Sequence, residues 1–336
     1  IIKRHPEFNM DNHLMLDKIN YENGTIMLEG KEYKLKDTNF PTINPENPFE
    51  LTDAEKELMN LLRSSFLRSE NLQNHVKFLY EKGSIYLTFN NNLLYHGCIP
   101  MNSDGTFTEV TLFGETVSGK SLMDKAEQLA RDGYFAKNGS EEKEYGKDFL
   151  WFLWCGCYSP VYGKNKMTSF ERYFIDDEST WVEIKDEYYH LIEKPSVCNK
   201  ILCEFGIDPN NFSHIINGHV PVHQSEGENP LKCDGKVIMI DGGFSKPYHK
   251  VTGIAGYTLT YNSYGLTLTA HEPFESAEQV IQNGKDIVSN QVAVQHAFNR
   301  ILVGDTDNGK KLKENIADLK ELIEAYRQGI ISEREK

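Results

Sequence analysis

Two apolar runs of the chain each end at a glycine beside a histidine, and this feature constrains the fold more than any other. The runs are Leu94-Tyr95-His96-Gly97 and Ile215-Ile216-Asn217-Gly218-His219. Apolar runs bounded by glycine predict buried strands. The chain must therefore build a sheet around such strands, with His96 and His219 at strand ends, where a rigid frame points side chains into a cleft. The adjacent glycines allow backbone and ligand to approach closely.

The rest of the sequence mixes strand and helix patterns without strict alternation, which favours an α/β fold with mixed sheets. Residues 25–35 predict a hairpin that turns at Glu29-Gly30. Thr52 and Glu55 form a capping-box pattern at the start of a helix, and a second helix over 71–82 is expected to end in a left-handed cap at Gly83. Further strands are predicted at 84–89, 93–97, 107–113, 213–217 and 236–241, a second hairpin is predicted at 254–271, and further helices are predicted at 121–134, 148–155, 194–205, 275–284 and 309–328.

Composition and charge exclude several classes of function. The net charge of −14 argues against non-specific binding of nucleic acid, which needs a basic face. No apolar run approaches the roughly 20 residues that span a bilayer, so no membrane association is expected. The six cysteines are scattered and do not form a disulfide framework, which favours a reducing cytoplasm.

The two histidines allow a functional and a structural interpretation. Imidazole at a strand end suits a divalent metal, whose bound water attacks a phosphate ester. The alternative is a histidine that only forms hydrogen bonds at the end of a strand. The structural interpretation is the commoner one for a single histidine, and the presence of two such sites in one chain adds modest weight to the metal.

Longer blocks around these histidines carry a family resemblance. HGCIP and NGHVPV are similar to the histidine motifs of calcineurin-like metallophosphoesterases, and VIMIDGGFS is similar to the strand that follows them. Within that superfamily, the chain resembles the class III, Firmicutes-type fructose-1,6-bisphosphatases from about residue 10 to its carboxy terminus. The blocks that carry the resemblance are LLYHGCIP, KMTSFERYFI, IINGHVPV, IDGGFSK, TGIAGYTLTYNSYG and AHEPF.

The resemblance implies a fold, a domain and a reaction. The fold would be α/β of the calcineurin-like metallophosphoesterase type, in which mixed β-sheets pack as a sandwich with flanking helices. Residues 1–336 would be the carboxy-terminal part of that domain, with a hairpin and helical insertion at about 20–83. The reaction would be hydrolysis of fructose 1,6-bisphosphate to fructose 6-phosphate and phosphate, a step of gluconeogenesis.

The resemblance also implies a metal site that this chain holds only in part. His96 and His219 would bind one metal of a two-metal manganese site, and Asp241 would shape the cleft. The family's remaining motifs, Asp-x-His, Gly-Asp-x-x-Asp-Arg-Gly and Gly-Asn-His, would lie in a missing amino-terminal half of the same polypeptide. Asp11-Asn12-His13 and the segment from Gly304 match such motifs only by letters. No catalytic residue is therefore assigned here, and the chain alone is expected to be inactive.

The two phosphates of the expected substrate require fixed cations. Lys164, Lys166, Arg172 and Lys246 fall in or near the resembling blocks and are the predicted substrate-binding residues. Arg172 is the best candidate because it lies among aromatic residues. The alternatives are solvated surface lysines and, for Arg172, a structural ion pair.

Other functions remain open at this stage. The parent protein would be a phosphatase of another phosphomonoester or of a phosphoprotein, or the chain would be a non-catalytic module. Gly114-Glu-Thr-Val-Ser-Gly119-Lys120-Ser121 also fits the P-loop pattern of nucleotide-binding proteins between a strand and a helix. Thr116 and Val117 give this loop little freedom to wrap phosphates, so no ATP binding is expected. The sequence leaves the oligomeric state open, including a homo-oligomer.

Overall fold

A computed structural model describes most of the chain, namely residues 1–243, 245, 247–254, 256–272, 276–284, 289–297 and 299–332. Its strands are β1 Ile19–Asn20, β2 Thr25–Leu28, β3 Lys31–Lys34, β4 Tyr86–Phe89, β5 Asn92–Tyr95, β6 Val110–Leu112, β7 Glu115–Val117, β8 His214–Asn217, β9 Leu231–Lys232, β10 Val237–Met239, β11 Gly256–Asn262, β12 Gly265–His271 and β13 Ser289–His296. Its α-helices are α1 Asp53–Arg68, α2 Glu70–Lys82, α3 Gly119–Phe135, α4 Glu141–Cys155, α5 Ser169–Phe174, α6 Tyr188–Leu191, α7 Pro195–Glu204, α8 His249–Thr252, α9 Ala277–Asn283 and α10 Asp307–Arg327.

The chain divides into two compact units that interleave in sequence. Unit 1 comprises residues 1–86 and 95–191, and unit 2 comprises residues 87–94 and 192–336. Unit 2 therefore takes most of β4 and β5 from a segment that lies between two parts of unit 1.

Unit 1 is built around the paired helices α3 and α4. Their apolar faces enclose an aromatic core with the amino-terminal segment and β6, and its fully buried members include Phe8, Leu112, Leu122, Phe149 and Phe152. The antiparallel strands β1, β2 and β3 form a separate small sheet. Its core, Met15, Ile19, Ile26, Leu35 and Ile175, joins this hairpin to the segment after α5.

Two glycines set how closely α3 and α4 approach. A side chain on Gly146 would place its Cβ 2.3 Å from the backbone nitrogen of Gly133 and 2.6 Å from the carbonyl oxygen of Leu129. Real Cβ contacts are longer, so the backbones can approach this closely only where both helices lack side chains. This close crossing brings the apolar faces of α3 and α4 together over the core.

Unit 2 contains a mixed sheet and an antiparallel sheet that share one core. The mixed sheet has the order β4-β5-β8-β10-β9, and β8 pairs in parallel with both β5 and β10. The strands β11, β12 and β13 form the antiparallel sheet. Residues of β8 and β10 and residues of β11 and β12 lie in the same buried cluster, which includes Ile216, Ile238, Tyr257, Leu266 and Leu268.

The last helix, α10, is anchored to unit 2 at its amino end. The backbone nitrogen of Asn90 donates to the Asp307 carboxylate at 2.6 Å, and the backbone nitrogen of Asp307 donates to the Asn90 side-chain oxygen at 2.9 Å. Thr306 caps the helix through the backbone nitrogen of Gly309, the one buried residue of α10. The anchor therefore consists of the first turn, and the remainder of α10 is largely exposed to solvent.

Most predicted elements are present, with a few differences in their bounds. The hairpin turns at Glu29 and Gly30, both with positive φ, and Thr52 and Glu55 form the capping box of α1. The helix predicted at 148–155 begins earlier, at Glu141, because Ser140 caps it. Gly83 ends α2 with φ −89°, so the predicted left-handed cap was wrong. The structure confirms a mixed α/β fold, and no helix of the described residues is long and apolar enough to cross a membrane.

Candidate functional site

His96 directly follows β5, and the residues on both sides of it are held by hydrogen bonds within unit 1. The preceding residue, Tyr95, forms a 2.5 Å hydroxyl–hydroxyl hydrogen bond with the fully buried Tyr188. The backbone nitrogen of Cys98 donates to the carbonyl oxygen of Pro160 at 2.8 Å. A Cβ on Gly97 would lie 2.6 Å from that same oxygen, so only glycine fits beside His96. The His96 side chain is exposed on this constrained segment.

His219 lies in an equally specific backbone setting in unit 2. It follows the fully buried strand β8 and has a left-handed backbone, with φ 68°. That conformation is uncommon outside glycine and is a form of strain that often accompanies a functional position. Three residues later, the backbone nitrogen of Val222 donates to the carbonyl oxygen of Asp241 at 2.9 Å, and the Asp241 carboxylate accepts from the nitrogen of Gly243. Asp241 therefore holds the segment after His219 by a backbone hydrogen bond.

The described residues do not by themselves form a metal site. No group of three or more His, Cys, Asp or Glu side chains among them is arranged to hold an ion. His96 belongs to unit 1 and His219 to unit 2. Two imidazoles are an incomplete ligand set for manganese, which favours carboxylate and other oxygen ligands. A metal bound by these histidines would need further ligands.

Two of the predicted substrate cations lie in one hydrogen-bonded network of unit 1. The Lys164 ammonium lies 2.7 Å from the Glu183 carboxylate, which also accepts from the nitrogen and hydroxyl of Thr168. Arg172 donates from Nε to the Thr168 hydroxyl and from its terminal nitrogen to the carbonyl oxygen of Trp181. Its guanidinium also lies 5.9 Å from the centre of the Trp181 ring. Arg172 is therefore held by neutral acceptors and an aromatic ring. None of these three contacts is an ion pair, which was the structural alternative for Arg172.

Charge within this network favours an ionised Glu183. Burial alone would raise the pKa of Glu183, but hydrogen bonds from Lys164 and Thr168 outweigh burial and lower that pKa. The neighbouring Glu171 is almost fully buried, and burial raises its pKa although Lys166 partly offsets the effect. Its Oε2 has no hydrogen-bond partner among the described residues.

The other two predicted cations give less information. The Lys166 ammonium lies 3.4 Å from the exposed carboxylate of Glu29, while the Lys166 carbonyl accepts from the buried Tyr162 hydroxyl. Lys246 lies outside the described residues. The structure thus places Lys164, Lys166 and Arg172 in unit 1 around the α5 segment.

A polar cavity of about 520 Å³ also lies in unit 1. Asp11, Asn12, Lys185 and Asp186 are among the residues that line it. Burial raises the pKa of Asp186 to about 6, although the backbone nitrogens of Tyr188 and Met101 donate to it. With carboxylates facing a single lysine, this lining does not suit a bisphosphate, which needs several cations. Asp11 and Asn12 lie on a 3-10 turn rather than after a buried strand, as expected for a match by letters alone.

The segment that fits the P-loop pattern does not have the backbone conformation of a phosphate-binding loop. Residues 115–117 form β7, which pairs antiparallel with β6 across a turn at Phe113-Gly114. A phosphate-binding loop needs consecutive free backbone nitrogens that wrap the anion. Lys120 instead lies on α3 and pairs with Asp124 at 2.6 Å. The pattern therefore marks a hairpin followed by a helix.

Sequence reasoning missed the acidic and hydroxyl residues that organise the cations. Thr168 and Glu183 connect Lys164 to Arg172, yet they are separated by 15 residues and fall in no periodic pattern. Glu171 lies inside the block KMTSFERYFI and is the buried residue of the short helix α5. Its membership of that block was the available sequence signal that Glu171 belongs to the site.

A protein-family model matches almost the whole chain. The model described as Firmicute fructose-1,6-bisphosphatase matches residues 1–328. No solved structure matches the chain.

Curated proteins give closely similar relatives. The chain is 54% identical over 335 residues to the "Fructose-1,6-bisphosphatase class 3" of Clostridium novyi (strain NT), which covers 100% of this chain and 50% of that protein. It is 55% identical over 333 residues to the protein of the same name from Clostridium botulinum (strain Langeland / NCTC 10281 / Type F), covering 99% of this chain and 50% of that protein. The chain thus spans about half the length of the curated relatives it matches.

Proposed function

Because this chain belongs to the Firmicute fructose-1,6-bisphosphatase family, we propose that it forms part of a phosphatase that hydrolyses fructose 1,6-bisphosphate to fructose 6-phosphate and phosphate. The observation that carries the proposal is the identity of 54–55% to two class 3 enzymes over almost the whole chain. The chain covers half of those proteins, so the complete activity is assigned to an enzyme that also contains the other half. On this proposal the fold is of the calcineurin-like type, and the shared core of the two sheets in unit 2 supports it.

His96 and His219 are proposed as ligands of a divalent metal, with manganese as the expected ion. β5 and β8 are parallel neighbours in unit 2, and His96 and His219 are the histidines that follow their carboxyl ends. Ligand sites of α/β proteins commonly form at the carboxyl ends of such strands. When bound, a divalent metal would activate water and neutralise phosphate charge. The remaining ligands would come from the relatives' other half.

Lys164, Lys166, Lys246 and Arg172 are proposed to bind the substrate. Arg172 is the strongest of them because its guanidinium is already oriented by Thr168 and Trp181 while the side chain remains exposed. A preoriented guanidinium can donate two hydrogen bonds to one phosphate. Lys164 would have to exchange Glu183 for phosphate, so we expect it to contribute less than Arg172.

The test measures phosphate release from fructose 1,6-bisphosphate with added Mn²⁺. This chain replaces the matching half of the Clostridium novyi relative, and the chimera is compared with the isolated 336-residue chain. We expect turnover by the chimera and none by the isolated chain. His96→Ala and His219→Ala in the chimera should each reduce turnover at least ~10²-fold, because each removes a metal ligand. His190→Ala, which removes an exposed histidine of α6, is the matched control.

Each outcome separates the alternatives. A folded chimera that hydrolyses a phosphopeptide or another sugar phosphate in preference to fructose 1,6-bisphosphate would contradict the substrate assignment. Full turnover in His96→Ala and His219→Ala would contradict the metal assignment. Robust turnover by the isolated chain would place the catalytic groups within these 336 residues.

A further inference from the structure

Another polar cavity, of about 560 Å³, is lined entirely by residues of unit 2 and lies at the amino ends of β8 and β10. His214 begins β8, Lys236 directly precedes β10, and both residues line the cavity. Because β8 and β10 are parallel neighbours, their amino ends lie at the same edge of the sheet. His219 follows the opposite, carboxyl end of β8, after roughly 10 Å of strand. The cavity is therefore separate from the proposed metal ligand His219.

Lys236 is a partly buried cation of this cavity that has only neutral partners. Its ammonium donates to the side-chain oxygen of Asn199 at 3.3 Å and to the carbonyl oxygen of Pro209. No carboxylate of the described residues forms an ion pair with it. An ammonium has three N–H donors, so one donor and the whole positive charge remain for a ligand. The lysine therefore favours an anion in the cavity.

Ser213 supplies a second donor at the same edge of the sheet. It lines the cavity and is only 3% exposed, and its Oγ has no hydrogen-bond partner among the described residues. Buried hydroxyls in native proteins usually have a partner, from the protein or from a bound molecule. The pairing of Ile215 with Val237 brings the residues just before them, Ser213 and Lys236, near each other. The hydroxyl and the ammonium can thus serve one ligand.

We propose that this cavity binds a small organic monocarboxylate, whose anionic group is held by Lys236 and Ser213. One cation matches one negative charge, and the two donors match the two oxygens of a carboxylate. A phosphate dianion fits less well, because the exposed Asp234 carboxylate also lines the cavity and would repel it. Phe212 and Val294 belong to the same lining and can contact the apolar part of the acid.

The experiment titrates the purified 336-residue chain with butyrate and follows binding by ligand-observed NMR. We expect saturable binding with a dissociation constant on the order of 1 mM, which a probe of this size can reach. Butyramide has the same shape and no charge, so it should bind at least ~10-fold more weakly. Inorganic phosphate, added as a competitor, should displace butyrate only at higher concentration than butyrate itself requires.

Three variants locate the binding in this cavity. Lys236→Met removes the charge and should weaken butyrate binding at least ~10-fold, because the ionic hydrogen bond is lost. Ser213→Ala should weaken it ~3- to 10-fold, and this variant should fold normally because the hydroxyl has no partner to lose. Lys200→Met, which removes an exposed lysine of α7 outside the lining, is the matched control and should bind as the unmutated chain does. Circular dichroism checks that each variant is folded.

Several results would overturn the proposal. They are an absence of saturable butyrate binding, butyramide binding as tight as that of butyrate, full affinity in Ser213→Ala, and full affinity in a folded Lys236→Met. Ser213→Ala keeps the test decisive if Lys236→Met does not fold. Displacement of butyrate by a lower concentration of phosphate would assign the cavity to phosphate and reject the carboxylate. The probe carries no phosphate ester, so these outcomes do not depend on the proposed phosphatase activity.

Discussion

His214 is a buried histidine whose environment holds it neutral. Its Nδ1 lies 2.9 Å from the side-chain oxygen of Asn92, and the Asn92 amide nitrogen donates to the carbonyl oxygens of Phe89 and Asn90. The Asn92 oxygen therefore accepts, so Nδ1 of His214 carries the proton. Burial, with a smaller effect from Lys236, lowers the pKa of His214 from 6.5 to about 4.

Stability should therefore fall as the pH falls through the window from 6.5 to about 4. In that window the unfolded chain binds a proton that the folded chain excludes, and His214 alone should lower the free energy of unfolding by about 2 kcal/mol between about pH 7.5 and about pH 5. His214→Asn keeps a donor near Nδ1 and removes the titration. Urea unfolding at both pH values should show a smaller pH dependence in the variant.

Asp186 also titrates in this pH range, so the pH dependence of stability in the unmutated chain has to be compared with that in His214→Asn. The pKa of Asp186 is raised from 3.8 to about 6, so the folded state binds this proton first and gains stability as the pH falls between those values. The two groups act with opposite signs in overlapping windows. An unchanged pH dependence in His214→Asn would mean that His214 is charged in the folded chain, contrary to its burial.

Single residues were predictable from sequence only where the backbone imposed a pattern. His96 and His219 follow buried strands beside glycine, and the structure places both at such strand ends. The partners of Lys164 and Arg172 were not predictable, because Thr168 and Glu183 reach them through tertiary contacts. The buried state of Glu171 depends in the same way on what packs against a six-residue helix.

At the scale of elements, β6, β7 and α3 show that a sequence motif indicates a phosphate site only where the backbone has the matching conformation. The helix predicted after the P-loop pattern is present as α3, but the local sequence could not reveal that residues 115–117 would pair with Val110–Leu112. The strand pairing uses the backbone groups that a phosphate would need. Periodicity located most helices and strands, and it failed at termini such as Gly83, where φ depends on the residues that follow.

The hairpin leads to a prediction for nucleotide binding. Calorimetry should detect no ATP binding by the unmutated chain. Lys120→Ala should lower the free energy of unfolding by at most about 0.5 kcal/mol, because it removes one largely exposed ion pair with Asp124. Micromolar ATP affinity that disappears in Lys120→Ala would contradict the hairpin at this position.

At the scale of the whole molecule, unit 2 depends on a segment from the middle of unit 1's sequence. Residues 87–94 supply most of β5, which covers one edge of β8 and lies within the five-stranded sheet. The sequence predicted these strands but not which unit they would join, because pairing in a sheet links residues far apart along the chain. β8 is buried at all four positions.

Removal of that segment should prevent unit 2 from folding by itself. We expect residues 192–332 alone to lack a cooperative unfolding transition by circular dichroism, because β8 would become an apolar edge strand that is prone to aggregation. Residues 84–97 joined to the same fragment by a flexible linker should restore the transition. A fragment that unfolds cooperatively without residues 84–97 would show that β4 and β5 are dispensable.

The contact between Gly133 and Gly146 has a consequence for how this chain can change during evolution. A side chain at either position meets the backbone of the opposite helix, so a mutation at one cannot be compensated by any mutation at the other. Both positions already carry glycine, the smallest residue, so no smaller residue at one position could make room for a side chain at the other. Lineages that descend from this chain should therefore retain both glycines for as long as α3 and α4 cross at this distance, whatever happens to the chemistry of the site.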